Sequence, residues 1–350
     1  MAKLARDVLI IACIVIGALH ISGSIAAAQS LEDFFKAQPF KIIVGSPPGG
    51  SYDLYGRAIS RHLGSHLPGQ PTVIVQNMPG GGGYLAVNYL YNNAPKDGSV
   101  IATFSRSVPM QPLTDSTGVQ FDPQKLEWIG SASDEVGLVL SWNTSPVKTY
   151  ADLQRLGMTV ASTGPGTDSN VYPRVVSNIL GVNIKIVTGY PGAADMLLAV
   201  ERGEVDGAAG ISWSSLWPNK KDWVDNRKLN LLVQLGLKSN HAQLKDVPLI
   251  LDLVRNETDR RVLEVIFARQ AMAYPFAAPP GVPTARLTAI RTAFAKTLTD
   301  EHFLSEANRA GMSINPATAE ELTAIIKRVY TSPPDVIEKV KTAMGLGAKN

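Results

Sequence analysis

The sequence has little of the material that enzymes and nucleotide-binding proteins use. Cys13 is its only cysteine, and five histidines occur among the 350 residues. So few thiols and imidazoles offer little for nucleophilic catalysis. The phosphate-binding pattern Gly-x-x-x-x-Gly-Lys-Ser/Thr is missing, and "GPGTDS" (164–169) lacks the third glycine of a dinucleotide fingerprint. We therefore predict that the protein is not an enzyme and has no cofactor.

Charge of one sign is also scarce. Lysine and arginine total 33 against 30 aspartate and glutamate residues, which gives a formal net charge of +3. A nearly neutral surface without a basic run gives no electrostatic reason to bind nucleic acid, so we predict no such partner. His62 and His66 have the i, i+4 spacing of a metal site but lack the glutamate of the zinc-protease motif. We predict no metal site.

A long apolar run at the N-terminus predicts an export signal. A short basic region precedes "VLIIACIVIGAL" (8–19), and Ala26 and Ala28 supply an Ala-x-Ala cleavage site. We expect a signal peptide over residues 1–28, cleaved near Ala28, and a periplasmic mature chain without cysteine, which suits an oxidising compartment. The alternatives are an uncleaved anchor and a lipid on Cys13. Polar residues interrupt the run before the roughly 20 apolar residues of a membrane span, which favours cleavage.

Apolar, strand-like runs alternate with helical patterns in the rest of the chain. The predicted strands are "KIIVG" (41–45), "TVIVQ" (72–76) and "DGSVIATF" (97–104), then "MTVAST" (158–163), "IKIVTGY" (184–190) and "VDGAAGI" (205–211). The first predicted helix places Leu54 on the same apolar face as Ile59 and Leu63. Strands that are apolar on both faces are typical of parallel sheets covered by helices. The pattern predicts an α/β fold with two similar lobes, each a mostly parallel sheet flanked by helices.

Four glycine-rich loops each follow a predicted strand and precede a predicted helix: 46–52, 77–83, 163–167 and 189–193. A helix N-terminus exposes unpaired N–H groups that attract anions, and glycine lets a ligand approach the backbone closely. The first and third loops occupy equivalent places in the two lobes, and ligands of α/β sheets bind at the carboxyl ends of strands. We therefore predict that these two loops face one cleft and bind an anion. The alternative interpretation is that the glycines only turn the chain.

Side chains in and beside these loops are the candidates for ligand binding. Arg106, just past a strand end, is well placed to meet a carboxylate. Asp53 suits an N-cap, although in a cleft it can also accept from a bound amine or water. Arg57 is expected to support the loop. The full set of candidate ligand-binding residues is Ser46, Pro48, Gly49, Gly50, Ser51, Tyr52, Asp53, Ser105, Arg106, Thr163, Gly164, Gly166, Thr167, Asp168, Ser169 and Tyr190.

Several long stretches together resemble a known family. They are "KIIVGSPPGGSYDLYGRAISRHL" (41–63), "VIVQNMPGGGGYLAVNYLYNNAPKDGSVIATF" (73–104), "VTGYPGAADMLLAVERGEVDGAAG" (187–210) and "PPGVPTARLTAIRTAFAKTLTDEHFLSEANRAGM" (279–312). The chain resembles the periplasmic solute-binding receptors of tripartite tricarboxylate transporters, the Bug or TctC family, over nearly all of its mature length.

The resemblance implies a periplasmic-binding-protein-like fold of two α/β lobes with a ligand cleft between them. It implies a small carboxylate ligand held by main-chain groups of the loops 46–53 and 163–169, hinge closure, permease subunits of a tripartite transporter as partners, and a monomer. We expect lobe 1 to comprise 29–106 and 232–350, and lobe 2 to comprise 107–231. The expected hinge crossings lie near 130–143 and 228–236, with a further crossing strand near 270–280.

Two departures from the family pattern fall where ligand identity is decided. Many members carry a Ser-Ser-His-Ala-like stretch where this chain has "SRSVPMQPL", with Arg106 in place of small neutral groups. Asp168 likewise stands where many members are rich in serine or glycine. The family's substrates are therefore not carried over by name. A ligand sensor with a signalling partner, and an exported hydrolase or isomerase that uses Asp53, Asp168 or Asp195, are the alternative functions.

Overall fold

Two mixed β-sheets, one of six strands and one of five, organise the chain. The computed structural model describes residues 30–238 and 241–346, so the predicted signal peptide at 1–28 lies outside the described residues. Within those two ranges, no helix combines the length and the apolar character that a membrane span requires.

The first sheet, sheet A, has the strand order β11-β4-β10-β3-β1-β2. Its strands are β1 (Phe40–Val44), β2 (Val73–Asn77), β3 (Val100–Thr103), β4 (Glu127–Ser131), β10 (Pro275–Ala278) and β11 (Ala317–Thr318). Strand β1 pairs in parallel with β2 and β3, whereas β10 and β11 pair antiparallel with their neighbours. The three parallel strands β1, β2 and β3 belong to the predicted strand–loop–helix units.

The second sheet, sheet B, has the order β7-β6-β8-β5-β9. Its strands are β5 (Gly137–Trp142), β6 (Met158–Ser162), β7 (Ile184–Thr188), β8 (Gly207–Ser212) and β9 (Leu229–Leu235). Strand β6 pairs in parallel with β7 and β8, and β5 pairs antiparallel with β8 and β9. The predicted α/β class with two sheets flanked by helices is confirmed.

Helices cover both sheets. The helices of the first part of the chain are α1 (Leu31–Lys36), which precedes β1, and α2 (Ser51–His66), α3 (Tyr84–Asn92), α4 (Tyr150–Leu156), α5 (Asp168–Leu180), α6 (Ala193–Glu201), α7 (Trp213–Asn219) and α8 (Lys221–Asp225). The later helices are α9 (Ile250–Leu253), α10 (Glu257–Phe267), α11 (Thr284–Thr299), α12 (Glu301–Arg309), α13 (Ala319–Tyr330) and α14 (Pro334–Met344). Short 3-10 turns occupy Gly81–Gly83, Gln111–Leu113, Ala242–Leu244 and Ala268–Met272.

The buried face of α2 differs from the predicted one by a single position. Leu54 is 52% exposed, whereas Tyr55, Ile59 and Leu63 are buried. Tyr55 stacks on Tyr274 with ring centroids 3.6 Å apart and donates its hydroxyl to the carbonyl of Ser313 at 2.7 Å. The apolar periodicity of the sequence did not predict that Tyr55 is buried in place of Leu54, because an amphipathic tyrosine can bury its ring and still pair its hydroxyl.

Strand pairing differs from the predicted lobe boundaries in two places. Strand β4 lies in the range 107–231 expected for lobe 2, yet it pairs with β10 and β11 of sheet A. The end of β9, residues 232–235, pairs with β5 in sheet B, although 232–350 was expected in lobe 1. The chain therefore passes from sheet A to sheet B across residues 132–136, and returns after β9, before β10. These boundaries follow from tertiary strand pairing, which spacing along the sequence does not encode.

The C-terminal helix α14 packs against α5, a helix of the sheet B unit. The side-chain amide of Asn178 donates to the carbonyl of Ala343 at 3.1 Å. One apolar cluster also runs from sheet A to sheet B through Trp128, Val139 and Phe267. The last part of the chain thus contacts both sheet units, and the assignment of all of 232–350 to lobe 1 does not describe these contacts.

A bulge in β8 positions the start of α5. Ala209 pairs with Val139 and Ile211 pairs with Leu138, so Gly210 is an extra residue on β8. Gly210 has a φ of +81°, and a Cβ there would lie 2.6 Å from the carbonyl oxygen of Asp168. Only glycine meets both constraints, because other residues are strained at this φ and would collide with the helix. The bulge therefore lets the first residue of α5 lie directly against sheet B.

We expect Gly210→Ala to displace the N-terminus of α5 and to lower the free energy of unfolding by about 2 kcal/mol or more, from the strained φ and the collision together. Urea denaturation measures the loss. Gly203→Ala is the matched control, since Gly203 has a φ of +73° but a Cβ there would have no neighbour within 4 Å. Equal losses in the two variants would contradict the role of close packing at Gly210.

Candidate functional site

A cavity of about 590 Å³ lies where the carboxyl ends of strands from both sheets meet. We call it the central cavity. Its polar lining comes from the segment after β1, the segment after β3, the loop after β6, the start of α7, the crossing between the sheets and the 3-10 turn before β10. The polar and charged residues that line it include Ser51, Tyr52, Ser105, Arg106, Ser107, Glu135, Thr167, Asp168, Ser212, Ser214, Ser215, Arg269 and Tyr274.

Two helix N-termini open onto the central cavity. Helix α2 begins after Gly50 and α5 begins after Thr167, and neither N-cap makes a side-chain hydrogen bond to its helix. Among the described residues, the backbone N–H groups of Ser51 and Tyr52 have no acceptor. Because the first N–H groups of a helix carry partial positive charge, this part of the lining favours a negatively charged group.

The carboxylate of Asp168 joins three separate segments of the chain. Its Oδ2 accepts from Nη2 of Arg106 at 2.8 Å, and its Oδ1 accepts from Nη2 of Arg269 at 2.8 Å. Arg106 follows β3 of sheet A, Asp168 begins α5 beside sheet B, and Arg269 lies in the return crossing. The side chains of Arg106, Asp168 and Arg269 are 17%, 25% and 11% exposed. We call these three residues the Asp168 triad.

Electrostatics keep the Asp168 triad charged. Burial by itself raises the pKa of Asp168, but the guanidinium groups of Arg269 and Arg106 outweigh it and hold that pKa below its ordinary value. Arg269 also donates through Nε to the hydroxyl of Tyr172 at 3.0 Å. Burial raises the pKa of Tyr172 to about 12, so the hydroxyl stays protonated at neutral pH. At neutral pH the triad is therefore two cations around one anion.

Arg106 keeps hydrogen-bonding capacity for a ligand. Its backbone N–H donates to the hydroxyl of Tyr52 at 3.0 Å, which ties it to the start of α2. Its guanidinium makes one hydrogen bond among the described residues, through Nη2 to Asp168. A guanidinium has five N–H donors in a planar fork, so most of them remain for another acceptor in the cavity.

Seven of the sequence-predicted residues line the central cavity: Ser51, Tyr52, Ser105, Arg106, Gly166, Thr167 and Asp168. They come from three loops, so the structure brings the first and third glycine-rich loops to one place. The other nine lie outside the lining: Ser46, Pro48, Gly49, Gly50, Asp53, Thr163, Gly164, Ser169 and Tyr190.

Asp53 supports its loop and does not line the cavity. Its side chain is buried, and the carboxylate accepts from the N–H of Gly49 at 2.8 Å, from Arg57 at 2.9 Å and from Asn77 at 2.8 Å. Burial raises its pKa, and these donors, Arg57 first, more than offset that and leave the pKa below its ordinary value. Asp53 therefore has a structural role in its loop, and Arg57 supports the same loop through Asp53 and Asn77.

Ser169 and Tyr190 are also used internally. The hydroxyl of Ser169 accepts from the N–H of Thr163 at 3.1 Å and contacts the hydroxyl of Thr167 at 2.9 Å, which closes the loop after β6 on itself. Tyr190 packs against the apolar cluster on sheet B that contains Trp213 and Leu216. Ser169 therefore supports the lining residue Thr167, while neither Ser169 nor Tyr190 lines the cavity itself.

Three charged residues of the lining were not predicted: Arg269, Glu135 and Asp115, the last of which is exposed. Arg269 is 101 positions from its partner Asp168, and no local pattern marks it. Glu135 lies in the crossing between the sheets, is 4% exposed, and accepts from the N–H of Val136 at 3.0 Å and from both the N–H and the hydroxyl of Ser214. An acidic residue between two strongly apolar strands is the only sequence signal that could have identified Glu135.

The two histidines with metal-like spacing pair with carboxylates instead. Nε2 of His62 lies 2.8 Å from Glu306, and Nε2 of His66 lies 3.2 Å from Asp300, so both link α2 to α12. Over residues 30–238 and 241–346, no group of three or more His, Cys, Asp or Glu side chains is arranged to hold a metal ion.

The fold is the two-lobe fold of periplasmic solute-binding proteins. A TctC solute-binding protein from Polaromonas superposes with a TM-score of 0.69 at 20% identity, covering 87% of this chain and 99% of that one. The periplasmic binding protein BugD superposes with a TM-score of 0.55 at 20% identity, covering 87% and 97%. At these identities the likeness establishes the fold.

The sequence establishes the family. The profile of the tripartite tricarboxylate transporter family receptors, TctC, matches residues 57–342, and the chain belongs to this receptor family. A UPF0065 protein from the gbd 5' region of Cupriavidus necator is 31% identical over 234 residues, 65% of this chain and 67% of the relative. A UPF0065 protein of Bordetella pertussis is 25% identical over 330 residues, 89% of this chain and 93% of the relative. Membership in a receptor family confirms that the chain is not an enzyme.

We expect Asp168→Asn to lower the free energy of unfolding at pH 7 by about 2 kcal/mol, since it leaves two guanidiniums without their anion. This is less than the roughly 3–5 kcal/mol of a fully buried pair because the side chains retain some contact with water. The folded-state pKa of Asp168 is depressed. The stability that the charge of Asp168 contributes is therefore present above its unfolded-state pKa of about 3.9, and it is lost as the pH falls through its folded-state pKa.

The difference between wild type and Asp168→Asn should accordingly shrink on acidification below about pH 4, as urea denaturation at pH 7 and pH 3 would measure. Asp225→Asn is the control, because Asp225 pairs with Lys221 while 47% exposed. It should change stability by about 0.5 kcal/mol or less at either pH. A pH-independent loss in Asp168→Asn would mean that the carboxylate acts by shape and not by charge.

Proposed function

We propose that the protein is a periplasmic receptor that captures a small organic acid in the central cavity and delivers it to the membrane subunits of a tripartite tricarboxylate-type transporter. Export would remove residues 1–28. The observation that carries the proposal is that two helix N-termini and the free donors of Arg106 surround one cavity between the sheets. Family membership supports the receptor role.

Proteins of the same fold bind carboxylates. MatC from Rhodopseudomonas palustris, described with bound malate, superposes with a TM-score of 0.55 at 17% identity. Rpa4515 from the same organism, described with adipate, superposes with a TM-score of 0.57 at 18% identity. These proteins show that the fold accommodates dicarboxylates, and they support an acid as the ligand class for this chain.

The binding step follows from the charges of the lining. A carboxylate that enters the cavity meets the N–H groups at the start of α2 and the unoccupied side of the Arg106 fork. Both donors are held in place beforehand, because Arg106 is fixed by Asp168 and Tyr52. Preorganised donors lose little entropy on binding, which favours affinity. Closure of the lobes about the two crossings would then remove water from the ligand.

Asp53, Asp168 and Asp195 do not offer a hydrolase or isomerase a free base in this cavity. Asp53 is buried and accepts three hydrogen bonds within its loop, and Asp168 is held ionised between two arginines. Asp195 does not line the central cavity. The receptor is therefore the function that the geometry supports best.

We expect binding of the correct acid to raise the free energy of unfolding by about 2.7 kcal/mol at a hundredfold excess over Kd. A thermal-shift screen of mono-, di- and tricarboxylates, with malate and adipate among the probes, identifies it, and titration calorimetry then gives Kd. Stabilisation by neutral sugars and by no acid would contradict the proposal.

In titration calorimetry, Arg106→Ala should weaken the binding of that acid at least tenfold, since a charge-assisted hydrogen bond is lost.

Arg155→Ala is the matched control for Arg106→Ala. Arg155 also pairs with an aspartate, Asp152 at 3.1 Å, but it is 68% exposed and lies on α4, outside the cavity lining. Its replacement should leave Kd unchanged within twofold. A similar loss in both variants would assign the effect to general surface charge.

A further inference from the structure

We propose that the ligand carries a cationic nitrogen group together with its carboxylate, as an amino acid does, and that Glu135 binds the cationic group. The inference rests on the proposed receptor function and specifies its substrate class.

Glu135 is a buried carboxylate without a basic partner. Its residue is 4% exposed, and among the described residues no lysine, arginine or histidine nitrogen lies within 4 Å of it. Its three donors are the N–H of Val136 and the N–H and hydroxyl of Ser214. All three are neutral. A buried carboxylate is costly to desolvate unless a cation compensates it, so Glu135 has unmet capacity for one.

Glu135 presents this capacity to the central cavity. It lines the cavity together with Ser212, Ser214 and Ser215. It also acts electrostatically on other residues of the lining. Burial raises the pKa of Tyr274 to about 12, and the charge of Glu135 is the next contribution in the same direction. A group bound against Tyr274 and the serines is therefore within reach of the carboxylate.

The charge balance of the lining disfavours a simple anion. Arg106 and Arg269 contribute two positive charges, and Asp168 and Glu135 contribute two negative ones, with Asp115 at the exposed rim as a further negative charge. An added monoanion or dianion gains Arg106 but is also repelled by the carboxylate of Glu135. A zwitterion adds no net charge, since its carboxylate meets Arg106 and the start of α2 while its ammonium meets Glu135.

Part of the lining is apolar and leaves room for a side chain. Met110, Leu113, Val171, Ile266 and Met344 contribute to a cavity of about 590 Å³. That volume is within the roughly 300–1,000 Å³ of small-molecule sites. It exceeds what an amino and a carboxylate group alone would fill, so amino acids with both apolar and acidic side chains are suitable probes.

Calorimetric titration of the mature protein with matched pairs tests the inference. Each pair differs only in the amino group: leucine against 4-methylpentanoate, phenylalanine against 3-phenylpropanoate, aspartate against succinate and glutamate against glutarate. We expect wild type to bind the amino member of at least one pair tenfold or more tightly than its partner. If the nitrogen-free acids bind as tightly as their amino partners, or more tightly, the inference is wrong while the receptor proposal stands.

Glu135→Gln then distinguishes a role of Glu135 in ligand recognition from a role in stabilising the crossing between the two sheets. Glutamine keeps the shape and an acceptor for Ser214 but removes the charge, so it should abolish the amino preference and leave the nitrogen-free acid within about threefold of its wild-type Kd. Equal weakening of both members would make Glu135 a structural residue and would overturn the inference. Glu264→Gln is the control, because Glu264 is 17% exposed, pairs with Arg328 and lies outside the cavity; it should leave the preference unchanged.

The wild-type comparison needs no variant, so the inference remains testable even if Glu135→Gln fails to fold. Failure of the receptor proposal is distinguishable from failure of the inference. If neither member of any pair and no other acid binds, the receptor proposal fails and the inference fails with it.

Discussion

The carboxylate of Asp168, held between Arg106 and Arg269, is the interaction on which the architecture of the site depends. It is the point where a segment of sheet A, the first residue of α5 and the return crossing meet, with both distances at 2.8 Å. Removed from most water, none of these three charges is tolerated without the others. The geometry of the cavity is therefore fixed by charge neutralisation as much as by apolar packing.

The scaffold holds the Asp168 triad and the two helix N-termini with groups that do not themselves face the cavity. Gly210 lets the start of α5 approach sheet B, and Asp53 fixes the loop before α2 through Gly49, Arg57 and Asn77. Because these supporting groups satisfy each other, they leave the N–H groups of Ser51 and Tyr52 without an acceptor among the residues that the structure describes. A site with preformed donors needs this separation between residues that position and residues that bind.

Local sequence pattern predicted the repeated strand–loop–helix units and the convergence of the first and third glycine loops, because parallel strands place their carboxyl ends at one edge. It did not predict that β4 pairs within sheet A and β9 within sheet B, nor that the carboxylate of Asp53 is hydrogen-bonded within its own loop. Arg269 was missed because its partner lies 101 positions away. Contacts of this kind depend on tertiary packing, and periodicity carries information only about neighbours along the chain.

The two residues expected to depart from the family pattern form one physical feature. Arg106 and Asp168 bind each other in this chain. Without Asp168, Arg106 would be a mostly buried cation with no anionic partner, and without Arg106, Asp168 would keep only Arg269, so the two charges support each other. An internal carboxylate already occupies one side of Arg106, so an incoming acid has to share the guanidinium with Asp168. Sharing is favourable only if the ligand or the lining offsets the added negative charge, and a ligand that brings its own cation to Glu135 supplies that offset.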